Sequence, residues 1–149
     1  MTKNKEFKFY ELSAIPLEKA LPQLAYKIYD KLNENIFLLL RSEEEVALFD
    51  RLLWSFSSNK FLPHGTVNDK KEYFQKLLIS AKNENLNKAK ILISNSVVND
   101  KDFISEFSQI IYIFSDNKLF LDEYKNLKSN QINANYWQQS SDGKWQANG

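Results

Sequence analysis

Cysteine is absent from this chain of 149 residues, histidine occurs once, at His64, and glycine three times, at positions 65, 143 and 149. Each scarcity removes a class of chemistry. Without cysteine there is no disulfide framework, thiolate nucleophile or thiolate zinc site. A single histidine excludes His-rich metal cages and leaves any His-dependent catalysis resting on one residue. The glycine spacing builds neither a G-x-x-x-x-G-K-[ST] phosphate loop nor a G-x-G-x-x-G turn. Arginine is scarce too, with Arg41 and Arg51 alone among 20 basic residues.

Twenty basic residues face 19 acidic ones, a net charge of +1. That balance gives no general attraction to nucleic acid, which requires a basic excess. No apolar run approaches the roughly 20 residues that span a bilayer. The lysine-rich start, Met1 to Phe9, leads into no apolar segment or small-residue cleavage site, so a signal peptide is not expected and a cytoplasmic location is. The length suits a single domain over 1–149, with about 6–146 forming an ordered core and a docked C-terminal segment.

Hydrophobic periodicity sets out the elements. Phe7 to Leu12 alternates as a strand. Leu17, Leu21, Leu24, Ala25, Ile28 and Leu32 form one helical stripe, in which Pro22 is tolerated if it falls in the first turn and otherwise kinks the helix. Ile36 to Leu40 reads as a strand buried on both faces. Ser42 and Glu45 make a capping box, opening a helix with Val46, Phe49, Leu52, Leu53 and Phe56 inward and Trp54 partly off that stripe. Phe61 to Gly65 reads as a short apolar connection ended by two breakers. Lys71 to Ile79 fits a helix, and Leu77 to Ser80 fits a strand equally well. Ile91 to Ser94 and Ile110 to Phe114 are further buried strands. Between them a short helix is expected near 100–107, and a last helix runs from about Leu119 beyond Leu127. Alternating strands and helices with double-sided apolar strands predict a three-layer α/β/α sandwich with a mainly parallel, Rossmann-like sheet and no phosphate-binding loop.

Chemistry is thinly supplied. The turn after the first strand, Ser13-Ala14-Ile15-Pro16, lacks glycine and holds a proline where phosphate would approach. His64 lies near Ser55, Ser57 and Ser58 in sequence, but no strand–turn–helix nucleophile elbow surrounds them, and His64 between Pro63 and Gly65 reads as a turn or interface residue. Asp69-x-Lys71 and Glu123-x-Lys125 match half of a metal-nuclease motif, a match expected by chance in so charged a chain. Glu43, Glu44 and Glu45 serve the helix dipole. No catalytic, cofactor or metal site is therefore expected. The aromatic residues, 14% of the chain, stand out more. Trp54 reads either as core or as a partly exposed platform. Tyr136, Trp137 and Trp145 sit where chain ends commonly fray, so they either dock on the domain or form a contact surface.

In combination these residues resemble a known family. Phe7-x-Phe9-Tyr10 is followed by Leu53-Trp54, leading to Phe61-Leu62-Pro63-His64-Gly65. Ile91 to Asn95, Tyr124-Lys125, Tyr136 to Gln139 and Gly143-Lys144-Trp145 come after, in that order. They look like the chi subunit of bacterial DNA polymerase III, over about 6–146. The tryptophan with Phe-Leu-Pro-His starting seven residues later is the most specific part.

The resemblance implies a non-enzymatic adaptor that belongs to the clamp-loader assembly, binds the psi subunit or a repair helicase, and holds the C-terminal tail of single-stranded-DNA-binding protein. That tail is acidic and ends in Pro-Phe with a free carboxylate, so its receptor needs an apolar slot and cations. By resemblance, Trp54, Phe114, Lys118, Tyr124, Lys125 and Lys128 fall at the tail-binding positions, and Phe61, Leu62, Pro63 and His64 at the psi or helicase interface. Leu121 departs from the family where a basic residue is expected, and the segment before the last helix is four residues shorter. Two other readings stand beside this one. One is a small metal-dependent hydrolase or nuclease using carboxylates. The other is direct single-stranded-DNA binding through Trp54 and the terminal aromatics, onto which bases would stack.

Overall fold

The computed structural model describes residues 5–57, 63–66, 76–115 and 117–147. Phe61, Leu62, Ser58, Asp69 and Lys71 lie outside the described residues, as does most of the segment whose reading stayed open between helix and strand.

The first strand, β1 (Glu6–Leu12), leads into α1 (Leu17–Leu32), β2 (Ile36–Leu39) and α2 (Glu43–Ser55). Next come β3 (His64–Thr66), β4 (Leu77–Ser80), β5 (Ile91–Ser94) and the single-turn α3 (Lys101–Ile104). The chain ends with β6 (Gln109–Ser115), α4 (Lys118–Ser129), β7 (Ala134–Gln139) and β8 (Trp145–Ala147). All eight strands form one sheet in the order β3-β4-β2-β5-β6-β1-β7-β8. Every pairing is parallel except β7 with β8.

Helices cover both faces, as the double-sided apolar strands require. On one face Leu21 and Ala25 of α1 and Phe49 and Leu53 of α2 pack over Ile36, Leu38, Ile93 and Ile111. On the other, Phe103 of α3 and Phe120 and Leu127 of α4 pack over Phe9, Phe37, Tyr112 and Phe114. The connections β1-α1-β2 and β2-α2-β3 run toward one edge, while β5-α3-β6 and β6-α4-β7 run toward the other. Right-handed crossovers in opposite directions place their helices on opposite faces. The three-layer α/β sandwich expected from the periodicity is therefore the observed fold.

Local signals account for most boundaries. Ser42 Oγ accepts the Glu45 N–H at 3.2 Å, capping α2. The reciprocal half of the box is displaced by one residue: Glu45 Oε1 accepts the N–H of Arg41, at 2.9 Å, and the Arg41 guanidinium closes on Glu45 at 2.8 Å. Asp100 and Asn117 cap α3 and α4 in the same way.

Two alternatives that the sequence leaves open are resolved, and one expectation is corrected. Pro22 lies in the second turn of α1, and the helix runs on past it, although position 22 has no N–H to give the carbonyl of Glu18. Leu77 to Ser80 is strand: it pairs with β2 on one side and with β3 on the other. His64-Gly65-Thr66, read as a connection, is an edge strand, because its backbone finds a parallel partner in β4. No local signal announces a strand made by long-range pairing.

Candidate functional site

Rossmann-like sheets offer ligands the turn after the first strand. Here that turn is filled from within. Gln139, buried at the end of β7, aims Oε1 at the N–H groups of Ser13, Ala14 and Ile15, which donate at 3.2, 3.0 and 3.1 Å. Ser13 Oγ donates to the Gln139 carbonyl as well. The amides that would cradle a phosphate are satisfied by a side chain, and a phosphate would have to displace it.

The opposite end of β7 is more open. Among the described residues β8 pairs with β7 from Trp137 to Gln139, and Ala134 to Tyr136 lie beyond that pairing. Between these residues and α4 lies a slot of about 140 Å³ lined by Tyr124, Lys128, Ala134, Tyr136, Trp137 and Ala147. Its aromatic walls are fixed. The Tyr124 ring meets Phe9 at 5.6 Å and Tyr136 at 5.1 Å, both edge-on. Tyr136 stacks on Phe9 at 5.8 Å, and its hydroxyl donates to the Glu11 carboxylate. Gln138 Nε2 donates to the other Glu11 oxygen at 3.2 Å. The helix supplies the charge. Leu121, Tyr124, Lys125 and Lys128 follow at intervals of three, one and three, so they share the slot side of α4. Lys118, one turn before Leu121, belongs to the same side by spacing. The three lysines are exposed, whereas Leu121 packs against the core.

Of the residues assigned to the tail site, Tyr124 and Lys128 line the slot, Lys125 and Lys118 share that side of α4 by spacing, and the other two lie elsewhere. Phe114 is 3% exposed and stacks face to face on Phe120 at 4.0 Å. It supports α4 from beneath and offers no contact surface. Trp54 belongs to α2 on the opposite layer, 62% exposed, with its ring 4.8 Å from that of His64. The assignment of six residues to one surface is corrected on this point, since α2 and α4 pack on different faces of the sheet.

His64 is corrected as well. Its side chain is fully covered, and Nε2 lies 3.3 Å from both the carbonyl and a carboxylate oxygen of Asp50. It holds the edge strand against α2 and props Trp54 from below, so a partner would meet Trp54 and half-buried Pro63 instead. Ser55 Oγ bonds the carbonyl of Arg51 at 3.2 Å, a helix-internal contact. Among the described residues no group of three His, Asp or Glu side chains is placed to hold a metal, and no helix is long and apolar enough to cross a membrane.

Sequence reasoning missed the roles of Gln139 and Glu11, which tie the C-terminal half of β7 to β1 and the turn after it. Glutamine at a strand end carries no signal, and the role of Glu11 depends on β7 lying beside β1, a pairing of residues more than 120 positions apart.

Fold and site together define a Rossmann-like α/β/α protein in which the phosphate position is filled by its own glutamine and an aromatic slot rimmed by lysines opens at the sheet edge. Comparison with known proteins supplies the family. The family model described as DNA polymerase III chi subunit, HolC, matches residues 4–134, and the chain belongs to that family. The probable DNA polymerase III subunit chi of Rickettsia prowazekii (strain Madrid E) is 27% identical over 114 residues, covering 72% of this chain and 68% of that protein. The family match ends at Ala134, where β7 begins.

Proposed function

We propose that this chi-family chain is a non-catalytic adaptor that holds the acidic C-terminal tail of single-stranded-DNA-binding protein in the slot between α4 and β7. Through its clamp-loader partners it would link that protein to the polymerase. The observation that carries this reading is an aromatic-walled slot lined by Lys128, with Lys125 on the same helix side. A terminal phenyl ring suits the slot, and its carboxylate and the preceding aspartates suit the lysines, which act as exposed, salt-sensitive point charges. Leu121 adds apolar surface where a basic residue was expected, so lysine density along α4 supplies the charge. A second contact, for psi or a helicase, falls at Trp54 and Pro63 on the opposite layer. An exposed tryptophan on a rigid helix is the kind of anchor that concentrates binding energy.

Titration of a tail peptide against the protein tests the first contact. The intact peptide should bind, removal of its last phenylalanine should abolish binding, and Lys125→Glu should weaken it and flatten its salt dependence. Equal binding of intact and truncated peptides would overturn the assignment.

A further inference from the structure

The sheet face opposite α4 is only partly roofed. α1 packs on β6, and α2 on β4 and β3, which leaves β1, β7 and β8 at the flank of α1. There Tyr10 of β1 stacks on Trp137 of β7, with centroids 5.1 Å apart and planes within 12°. Tyr10 also meets Trp145 of β8 edge-on at 5.3 Å and 79°. Trp145 keeps 39% of its surface exposed. Three rings from three adjacent strands thus form a ladder.

Beside the ladder runs a groove of about 230 Å³ between β1 and α1, with Tyr10, Leu24 and Ile28 in its wall and Lys8, Lys27 and Lys31 along it. The placement follows from periodicity. Residues 8 and 10 share a strand face, and 24, 27, 28 and 31 share a helix side. No carboxylate lines the groove. Among the described residues none of these lysines is engaged in an ion pair. The chain is nearly neutral as a whole, so this is a local concentration of one sign.

We propose that this strip binds single-stranded nucleic acid, with Lys8, Lys27 and Lys31 along the phosphates and Trp145 and Trp137 stacking bases. An aromatic ladder beside a cationic groove supplies both halves of sequence-tolerant single-strand binding. A duplex has its bases already stacked and would leave the rings unused. An acidic peptide would engage the lysines but give the ladder no role. The site lies on the sheet face opposite α4 and draws its rings partly from the hairpin beyond the family match. Its lysines are not those beside the proposed tail slot, although Trp137 borders both.

Fluorescence anisotropy with a labelled oligothymidylate of roughly 15 nucleotides, at low salt and over a salt series, tests the proposal on the full chain. The oligonucleotide should bind, with Lys8→Glu/Lys31→Glu removing most of the affinity. In a Lys8→Gln/Lys31→Gln protein the slope of log affinity against log salt should fall by about 0.7 per lysine. Trp145→Ala should weaken binding at least about fivefold, while Trp145→Phe, which keeps a stacking ring, should retain most of it. Lys125→Glu should leave oligonucleotide binding intact. Absence of binding at low salt would overturn the proposal, as would binding indifferent to the Lys8/Lys31 and Trp145 variants. Capture of an oligo-aspartate peptide without the oligonucleotide would make the strip a peptide site and overturn it equally.

Discussion

Tyr112 has no exposed surface, yet its hydroxyl accepts the N–H of Val98 at 3.2 Å, tying β6 to the loop after β5. Burial pushes the phenol far above its ordinary range, so it stays neutral at any working pH. Tyr112→Phe keeps the ring stack and orphans a buried N–H, which should cost about 2 kcal/mol in urea unfolding. Sequence reading placed Tyr112 in a buried strand but gave no sign of its polar partner. Gln139 is the sharper example: its three accepted N–H bonds close the turn where a nucleotide would sit, and nothing near it in sequence foretells that. Ionisable groups were no more legible. Burial pushes Glu123 upward on the flank of α4 away from the slot, although Glu123-x-Lys125 in sequence suggested only a chance metal motif.

At the scale of elements, α2 and α4 show what local signals achieve. The acidic first turn and Ser42 mark the start of α2 to within a residue. Burial pushes the Glu45 carboxyl up, but hydrogen bonds from the Arg41 side chain, the Arg41 backbone and Asn95 outweigh it and hold the group below its usual range. A depressed folded value means that this stabilisation is present above 4.5 and is lost as pH falls through the folded value. Glu45→Gln should therefore be less stable than the native chain at neutral pH, with the gap closing as pH falls through the folded value. Ser42→Ala, which removes the cap itself, should cost about 1 kcal/mol. Thermal unfolding across the pH range distinguishes the two. On α4 the lysine spacing was readable, because 118, 125 and 128 fall on one helix side whatever the tertiary structure. The wall facing them was not, since it comes from β1 and β7.

Across the whole molecule, the sheet divides the functional surfaces. α4 and its slot occupy one face, while Trp54 with α2 and the Tyr10–Trp137–Trp145 ladder occupy the other. Binding at the two proposed sites should therefore be separable. Lys125→Glu should weaken the tail peptide alone and Lys8→Glu/Lys31→Glu the oligonucleotide alone, with additive effects in the combined variant, because these lysines sit on opposite faces of the sheet and Trp137, which borders both sites, is unchanged. The scarcity of cysteine, histidine and glycine, the runs of buried strand and the helical stripes determined the α/β/α layering and removed the phosphate loop. These follow from residue chemistry and short-range periodicity, which a linear text carries completely. Tertiary structure decided the rest. It split Trp54 from the lysines, sank Phe114 and His64, made a strand of residues 64–66 and folded the last tryptophans onto β1. Strand order and the choice of sheet face are set by crossovers and pairings between residues far apart in the chain, and no local pattern encodes them.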